Sequence, residues 1–228
     1  MIHTRKNITF PLPPIFLDRV AIPYNFTFKL LGVIIDYKLT WKPHMQSMQK
    51  KLSSACGILW NLRNKINREV AKAIYFAIAY PYMHYCSIVW GNSYQTSLNR
   101  LFVTQKKLLR IMLKQRRDAP SNPLFKQLKM LKLDDVIKVN LAIFVFKTIN
   151  NLVSTSIQFN ARFVGPYNLR YVPPLNVPFV RNRQAQMFIP VRGATLWNSL
   201  PENIRNSQSL FSFKKNIKQY YLSLYGDI

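Results

Sequence analysis

Eight carboxylates are all that 228 residues offer for acid–base or metal chemistry: Asp18, Asp36, Glu69, Asp118, Asp134, Asp135, Glu202 and Asp227. Two-metal phosphoryl transfer needs carboxylates that hold two ions about 4 Å apart. Only Asp134 and Asp135 are adjacent, and helix neighbours diverge by about 100°. That pair is therefore expected to cap a helix N-terminus, where acidic groups also suit the dipole. Asp36 closes an apolar run with no second carboxylate beside it, and a turn role is expected. His44 and His84 follow the N-terminal His3 at no spacing that suggests a metal site or a Ser/His/Asp relay. Cys56 and Cys86 lie in apolar contexts without a CxxC or Cys/His cluster, and read as buried free thiols in a reducing compartment. Neither GxGxxG nor GxxxxGK[ST] occurs, so no phosphate-cradling loop is expected. The residues make no independent case for catalysis, a metal or a cofactor.

What remains is positive charge. Against the eight acids stand 33 Lys and Arg, a formal charge of +25, which repels itself in a compact chain and calls for a polyanionic partner. Nucleic acid is the first candidate and an anionic membrane the second. From Lys38 to Arg117 there are fifteen basic residues and one acid, Glu69. The candidate contacts to a phosphate backbone are Lys50, Lys51, Arg63, Lys65, Arg68, Arg100, Lys106, Lys107, Arg110, Lys114, Arg116 and Arg117, each able to release condensed counterion. The competing reading is a merely solvated cationic surface. Tyrosines and Trp90 offer faces for base stacking, although aromatic residues at helical spacing more often build a core.

The elements that must position these residues are mainly α. A hydrophobic fraction of 49% with 14% aromatic residues is too rich for a disordered basic tail. The N-terminus has no uninterrupted apolar stretch and carries Pro11, Pro13 and Pro14, which argues against a signal peptide and for an intracellular location, nuclear or cytoplasmic. Ala73 to Gly91 contains no Lys, Arg, Asp or Glu, yet Pro81, His84 and four tyrosines interrupt it. A broken core helix is expected there rather than a membrane span.

Three regions follow. Residues 1–40 are extended, a small β-hairpin or edge strands, with Gly32 inside Thr27–Asp36 as a bulge or close approach. Residues 41–151 form a basic helical bundle. From Trp41 to about Ile66, Met45, Met48, Leu52, Cys56, Leu59 and Leu62 share one face; from Ser97 to about Lys114, an apolar arc opposes a cationic one. The helix after Asp134 and Asp135 is apolar almost all round and is expected at the centre of the core. Residues 152–228 are irregular and loop-rich, with a long loop or short strands between Gly165 and Pro190. They end in an amphipathic helix lined by Leu210, Phe213, Ile217, Tyr220, Tyr221 and Leu224.

Several segments in order, FKLLGVIID (28–36), LTWKPHM (39–45), YPYMHYCSIVWG (80–91), LNRLFVTQKKLLRIM (98–112), PLFKQLKMLKL (123–133) and GATLWNSLPENIRNSQSLFSFKKNIKQYYL (193–222), resemble the region after the catalytic palm in reverse transcriptases of non-LTR (LINE-type) retrotransposons. Met45 replaces the usual isoleucine of its motif. The resemblance implies a primer-grip-like role for Phe28, Leu30, Leu31, Gly32 and Val33, and a thumb-like role for the basic helices. It also implies sequence-independent binding of RNA, DNA or an RNA–DNA hybrid. The family's RNA-directed DNA polymerase uses Mg2+, but its palm carboxylate motifs are not in this chain. The expectation is therefore a fragment with no catalytic residue and no cofactor of its own, with the polymerase palm in trans as a further partner and no membrane. The alternative is a degenerate retroelement remnant acting at most as a protein-interaction or assembly module. Leu30, Leu31, Val33 and Ile34 are expected to form an exposed apolar patch, and the GATLWNSLP block is expected to pack.

Overall fold

The computed structural model describes residues 13–161 and 174–225. Two hairpins come first. Strand β1 (Ile15–Leu17) pairs antiparallel with β2 (Val20–Ile22), and β3 (Thr27–Leu30) with β4 (Val33–Asp36). Each turns on two residues of positive φ, Asp18 and Arg19 in the first, Leu31 (46°) and Gly32 (87°) in the second. Such turns match the twist of paired strands. Gly32 thus sits in a hairpin turn, not in the bulge expected from composition: Leu30 lies directly opposite Val33, with no extra residue in either strand.

Helices α1 (Lys42–Leu62), α2 (Arg68–Ile78), α3 (Tyr80–His84), α4 (Ser87–Trp90), α5 (Gln95–Met112), α6 (Ser121–Leu128) and α7 (Leu133–Ile149) follow. The chain is mainly α, as expected. Helix α1 stops at Leu62, short of Ile66. Asn67 then opens α2, its side chain accepting from the Val70 N–H at 2.8 Å. The uncharged stretch 73–91 is the broken core segment foreseen, divided at Ala79 and at Tyr85–Cys86. Polar groups at the second break find partners inside the protein: Trp90 Nε1 donates to the Tyr85 carbonyl (2.8 Å), and Asn140 Nδ2 to the His84 carbonyl (3.2 Å) and Ser87 Oγ (2.7 Å). Among the described residues, no helix is long and apolar enough to cross a membrane.

Helix α7 explains the architecture, because it is apolar almost all round and has a core on each side. Leu133 and Ile137 join a cluster built by α1, α2, α5 and α6, including Leu52, Leu59, Tyr75, Leu101, Leu108 and Phe125. Val136, Val139, Ala142, Val145 and Phe146 join a second cluster with Trp197, Ile204, Phe213, Ile217 and Tyr221. A helix with no polar stripe has no stable place at a surface, so two layers close over it.

The region after residue 151 is more helical than its sequence pattern suggested: α8 (Arg183–Gln186), α9 (Ile189–Ser199) and α10 (Glu202–Arg205) precede α11 (Leu210–Ser223). Part of the expected Gly165–Pro190 loop lies outside the described residues, and the described part contains α8 and an isolated bridge from Leu175 to Ala161. The GATLWNSLP block is α9. Its Trp197 ring centroid lies 5.7 Å from that of Phe213, which stacks at 4.4 Å on Phe146. Asn198 exchanges two hydrogen bonds with the Leu175 backbone, at 3.0 and 2.9 Å. Helix α11 begins with a Ser209–Ser212 capping box. Its stripe holds except at Leu224, which is exposed, while the next residue, Tyr225, packs inward.

Candidate nucleic-acid interface

Helices α1 and α5 carry Lys42, Lys50, Lys51, Arg100, Lys106, Lys107 and Arg110 between them and pack directly on each other, with Gln49 Nε2 donating to Thr104 Oγ1 at 2.6 Å across the seam. Their inner faces are apolar, which leaves the lysines outward. Lys50 and Arg100 are exposed, as is Lys107, whose ammonium lies near enough to Cys56 on α1 to oppose the upward push of burial on that thiol. Lys65 in the α1–α2 turn, and Lys114 and Arg117 after α5, are exposed as well.

Other predicted contacts already have neighbours. Lys51 lies 4.5 Å from the centre of the Tyr82 ring and Lys106 4.7 Å from that of Phe102. Arg68 pairs with Glu69 at 3.5 Å and Arg116 with Asp118 at 3.4 Å, both on the surface, where such pairs hold weakly and leave a cation available. Arg110 is committed to the fold, since its Nε and Nη2 both donate to the Ala119 carbonyl, at 2.9 and 2.8 Å, closing the turn after α5. Arg63 spreads over the ring of Trp60, 3.2 Å from its centroid. Trp60 does not stand out in the sequence. The one signal there is its position about 100° from Leu59, off the apolar arc of α1.

The β3–β4 hairpin is moored beside these helices. Asp36 is buried and takes the turn role: its carboxylate accepts from the Thr40 N–H and hydroxyl (2.9 Å each) and from the Trp41 N–H (2.7 Å). The Ile34 N–H donates to His44 Nδ1 at 3.3 Å, and the Tyr85 hydroxyl to the Leu31 carbonyl at 2.7 Å. This mooring corrects the expected apolar patch. Val33 is only 6% exposed and packs in the core cluster with Trp41 and Met45, and Ile34 is half-buried. Phe28, Leu30 and Leu31 remain outward, Leu31 at 82%.

Burial, then the Lys51 ammonium, hold His44 below the usual imidazole value of 6.5. Burial and then Lys214 do the same for His84, against an opposing hydrogen bond from its ring to Asn140. Such an imidazole takes its proton more readily in the unfolded chain. The stability it secures is complete above pH 6.5 and is lost as pH falls through its lower folded value. Urea unfolding is therefore expected to need less denaturant at about pH 5 than at about pH 7, and His44→Asn with His84→Asn should flatten that difference. An unchanged slope in the double variant would assign the acid sensitivity to other groups.

Among the described residues, no group of three His, Cys, Asp or Glu side chains could hold a metal ion. Asp36 is occupied as above. Asp135 accepts from the Tyr225 hydroxyl and lies 3.6 Å from Lys138. Asp134 and Asp135 do sit in the first turn of α7, but neither makes the capping hydrogen bond expected of them, since the N-cap is Lys132. Asp135 instead ties that turn to the end of α11.

Comparison with known proteins gives a consistent answer over part of the chain. An alignment of 112 positions, covering 46% of this chain, is 31% identical to the RNA-directed DNA polymerase from mobile element jockey of Drosophila funebris. An alignment of 115 positions, covering 47% of the chain, is 27% identical to the probable RNA-directed DNA polymerase from transposon X-element of Drosophila melanogaster. The transposon BS protein of the same fly is 26% identical over 110 residues. The matched stretches span only 12–13% of these relatives' own lengths. No family model matches and no solved structure matches.

Proposed function

About half of this chain is homologous to the RNA-directed DNA polymerases of non-LTR retrotransposons, and from that premise we propose that it binds nucleic acid. It holds the phosphate backbone of a duplex without sequence preference, as a thumb-like part of the reverse-transcription machinery. The observation that carries this reading is the outward, acid-free set Lys50, Lys65, Arg100, Lys107, Lys114 and Arg117 on and beside the α1–α5 pair. The eight acids of the chain are too few to neutralise its 33 cations, so most of that charge needs an external anion. RNA-directed DNA synthesis is named for the relatives, and none of this chain's residues is proposed to catalyse it.

The test is binding of the purified chain to a labelled RNA–DNA duplex across a salt series. Expected is an association constant that falls steeply with salt, by about 0.9 log units per decade for each phosphate neutralised. An unfolded peptide of matching charge should bind more weakly. Affinity equal to that peptide's would reduce the helices to a solvated cationic surface.

A second reading, a protein-interaction module, has one observation in its favour. Ile15, Phe16, Leu17, Val20, Ile22, Phe26, Phe28, Leu30 and Leu31 are all exposed on the two hairpins, an apolar surface of the kind that proteins usually cover. A polymerase palm supplied in trans is the partner this reading names.

A further inference from the structure

We propose that Trp60 and Arg63, at the C-terminal corner of α1, form a stacking site for one unpaired nucleobase of a bound single strand. The proposal rests on the nucleic-acid reading above and adds to it a contact that phosphate binding does not require.

The chain has four tryptophans. Trp41, Trp90 and Trp197 are buried, whereas Trp60 is 55% exposed, although the helix that carries it has a continuous buried face from His44 to Leu59. Arg63 covers one side of the indole, its guanidinium 3.2 Å from the ring centroid. With that side taken, the exposed surface lies on the opposite face and outer edge. At Gly57, in the turn before Trp60, even an added Cβ would meet nothing within 4 Å, so the surface on that side of α1 is open and leaves room for a planar group to approach the indole.

The guanidinium is held but not spent. Nη1 of Arg63 is buried without a hydrogen-bond partner, and no carboxylate pairs with Arg63 among the described residues. A guanidinium fixed on an aromatic face brings an unneutralised positive charge beside the ring, where it attracts a nucleic-acid backbone. Lys65 is exposed just beyond, and Arg68 opens the next helix. An aromatic face beside several cations is the combination that holds single strands: charge tracks the backbone, and the ring accepts any base because every base has a π face. A protein partner would be expected to bury the neighbouring Ile58 and Trp60 against apolar surface, and the surrounding charge argues against that occupant.

The experiment follows tryptophan emission of the whole chain during titration with a short oligodeoxyadenylate, and in parallel with an abasic oligonucleotide of the same length and charge. Since the other three indoles are shielded, quenching reports Trp60. Expected is quenching by the adenylate alone, with about tenfold tighter binding than the abasic strand. Trp60→Leu should abolish both differences and leave the salt slope unchanged, and circular dichroism should confirm that this exposed substitution leaves the fold intact. Arg63→Gln should weaken both strands and make the slope shallower. Equal affinity and equal quenching by the two strands would overturn the stacking site while leaving phosphate binding in place. Quenching that persists in Trp60→Leu would overturn it too. If neither strand binds, the stacking site is overturned, and the duplex titration decides the phosphate-binding reading by itself. The wild-type comparison of the two strands decides the matter even if a variant fails to fold.

Discussion

Gln105→Leu is expected to destabilise the fold by about 3 kcal/mol or more, since it strands polar partners in a dry interior. Gln105 is fully buried on α5. Its Nε2 donates to the Tyr75 hydroxyl (3.1 Å) and the Leu131 carbonyl (2.9 Å), and its Oε1 accepts from the Leu133 N–H (2.9 Å). One amide thus ties α5 to α2 and to the start of α7. Leucine would fill similar space while leaving two backbone groups and a phenol unsatisfied, each at about 1–3 kcal/mol. Urea unfolding would measure the loss, with Tyr75→Phe as the milder comparison because it removes only one partner. A change below about 1 kcal/mol would mean that the orphaned groups reach water, and that this junction is looser than the hydrogen bonds imply.

The largest functional effect is expected from the joint variant Lys50→Gln, Arg100→Gln and Lys107→Gln. All three side chains are exposed on the packed α1–α5 pair and make no ion pair among the described residues. Each lost phosphate contact lowers the salt slope by about 1, so the variant should bind duplex with a slope shallower by about 3 and with affinity reduced at least about tenfold at low salt. The matched control is Lys214→Gln, Lys215→Gln and Lys218→Gln, which removes the same charge from the exposed side of α11. If both triple variants lose affinity equally, the attraction belongs to the net charge of the whole chain and α1–α5 is no special surface.

Much of this architecture was legible beforehand where local pattern and tertiary demand agree. The stripe of α1, the two-sided α5 and the all-round apolar α7 are each read from residue spacing, because a helix that must bury one face, or all of them, announces it at a period of 3.6. The turn role of Asp36 was legible for a similar reason: a lone carboxylate after a strand, with Thr40 and Trp41 just beyond, has local backbone donors within reach. Less legible was the stretch beyond residue 151. Helix α9 contains Pro190, Gly193 and Asn198, weak helix formers, and it is stabilised by Trp197 inserting against Phe146 and Phe213. Asp134 and Asp135 keep their expected place in the first turn of α7, but Lys132 occupies the N-cap position and Asp135 turns to a more distant partner, the Tyr225 hydroxyl.

The candidate site divides along the same line. By itself the sequence determined that the chain is mainly helical, that it is strongly cationic and that its cations concentrate between Lys38 and Arg117, since charge count and helical phase are local properties. Its motifs also pointed to the retrotransposon polymerases that the comparisons then found. Tertiary structure alone decided which cations stay available. Arg110 is drawn into a turn, Val33 is drawn into the core, and Trp60 is left outside under Arg63. Those outcomes depend on what lies across a helix seam or a hairpin, and contacts between residues far apart in sequence are set by packing, which residue spacing does not encode.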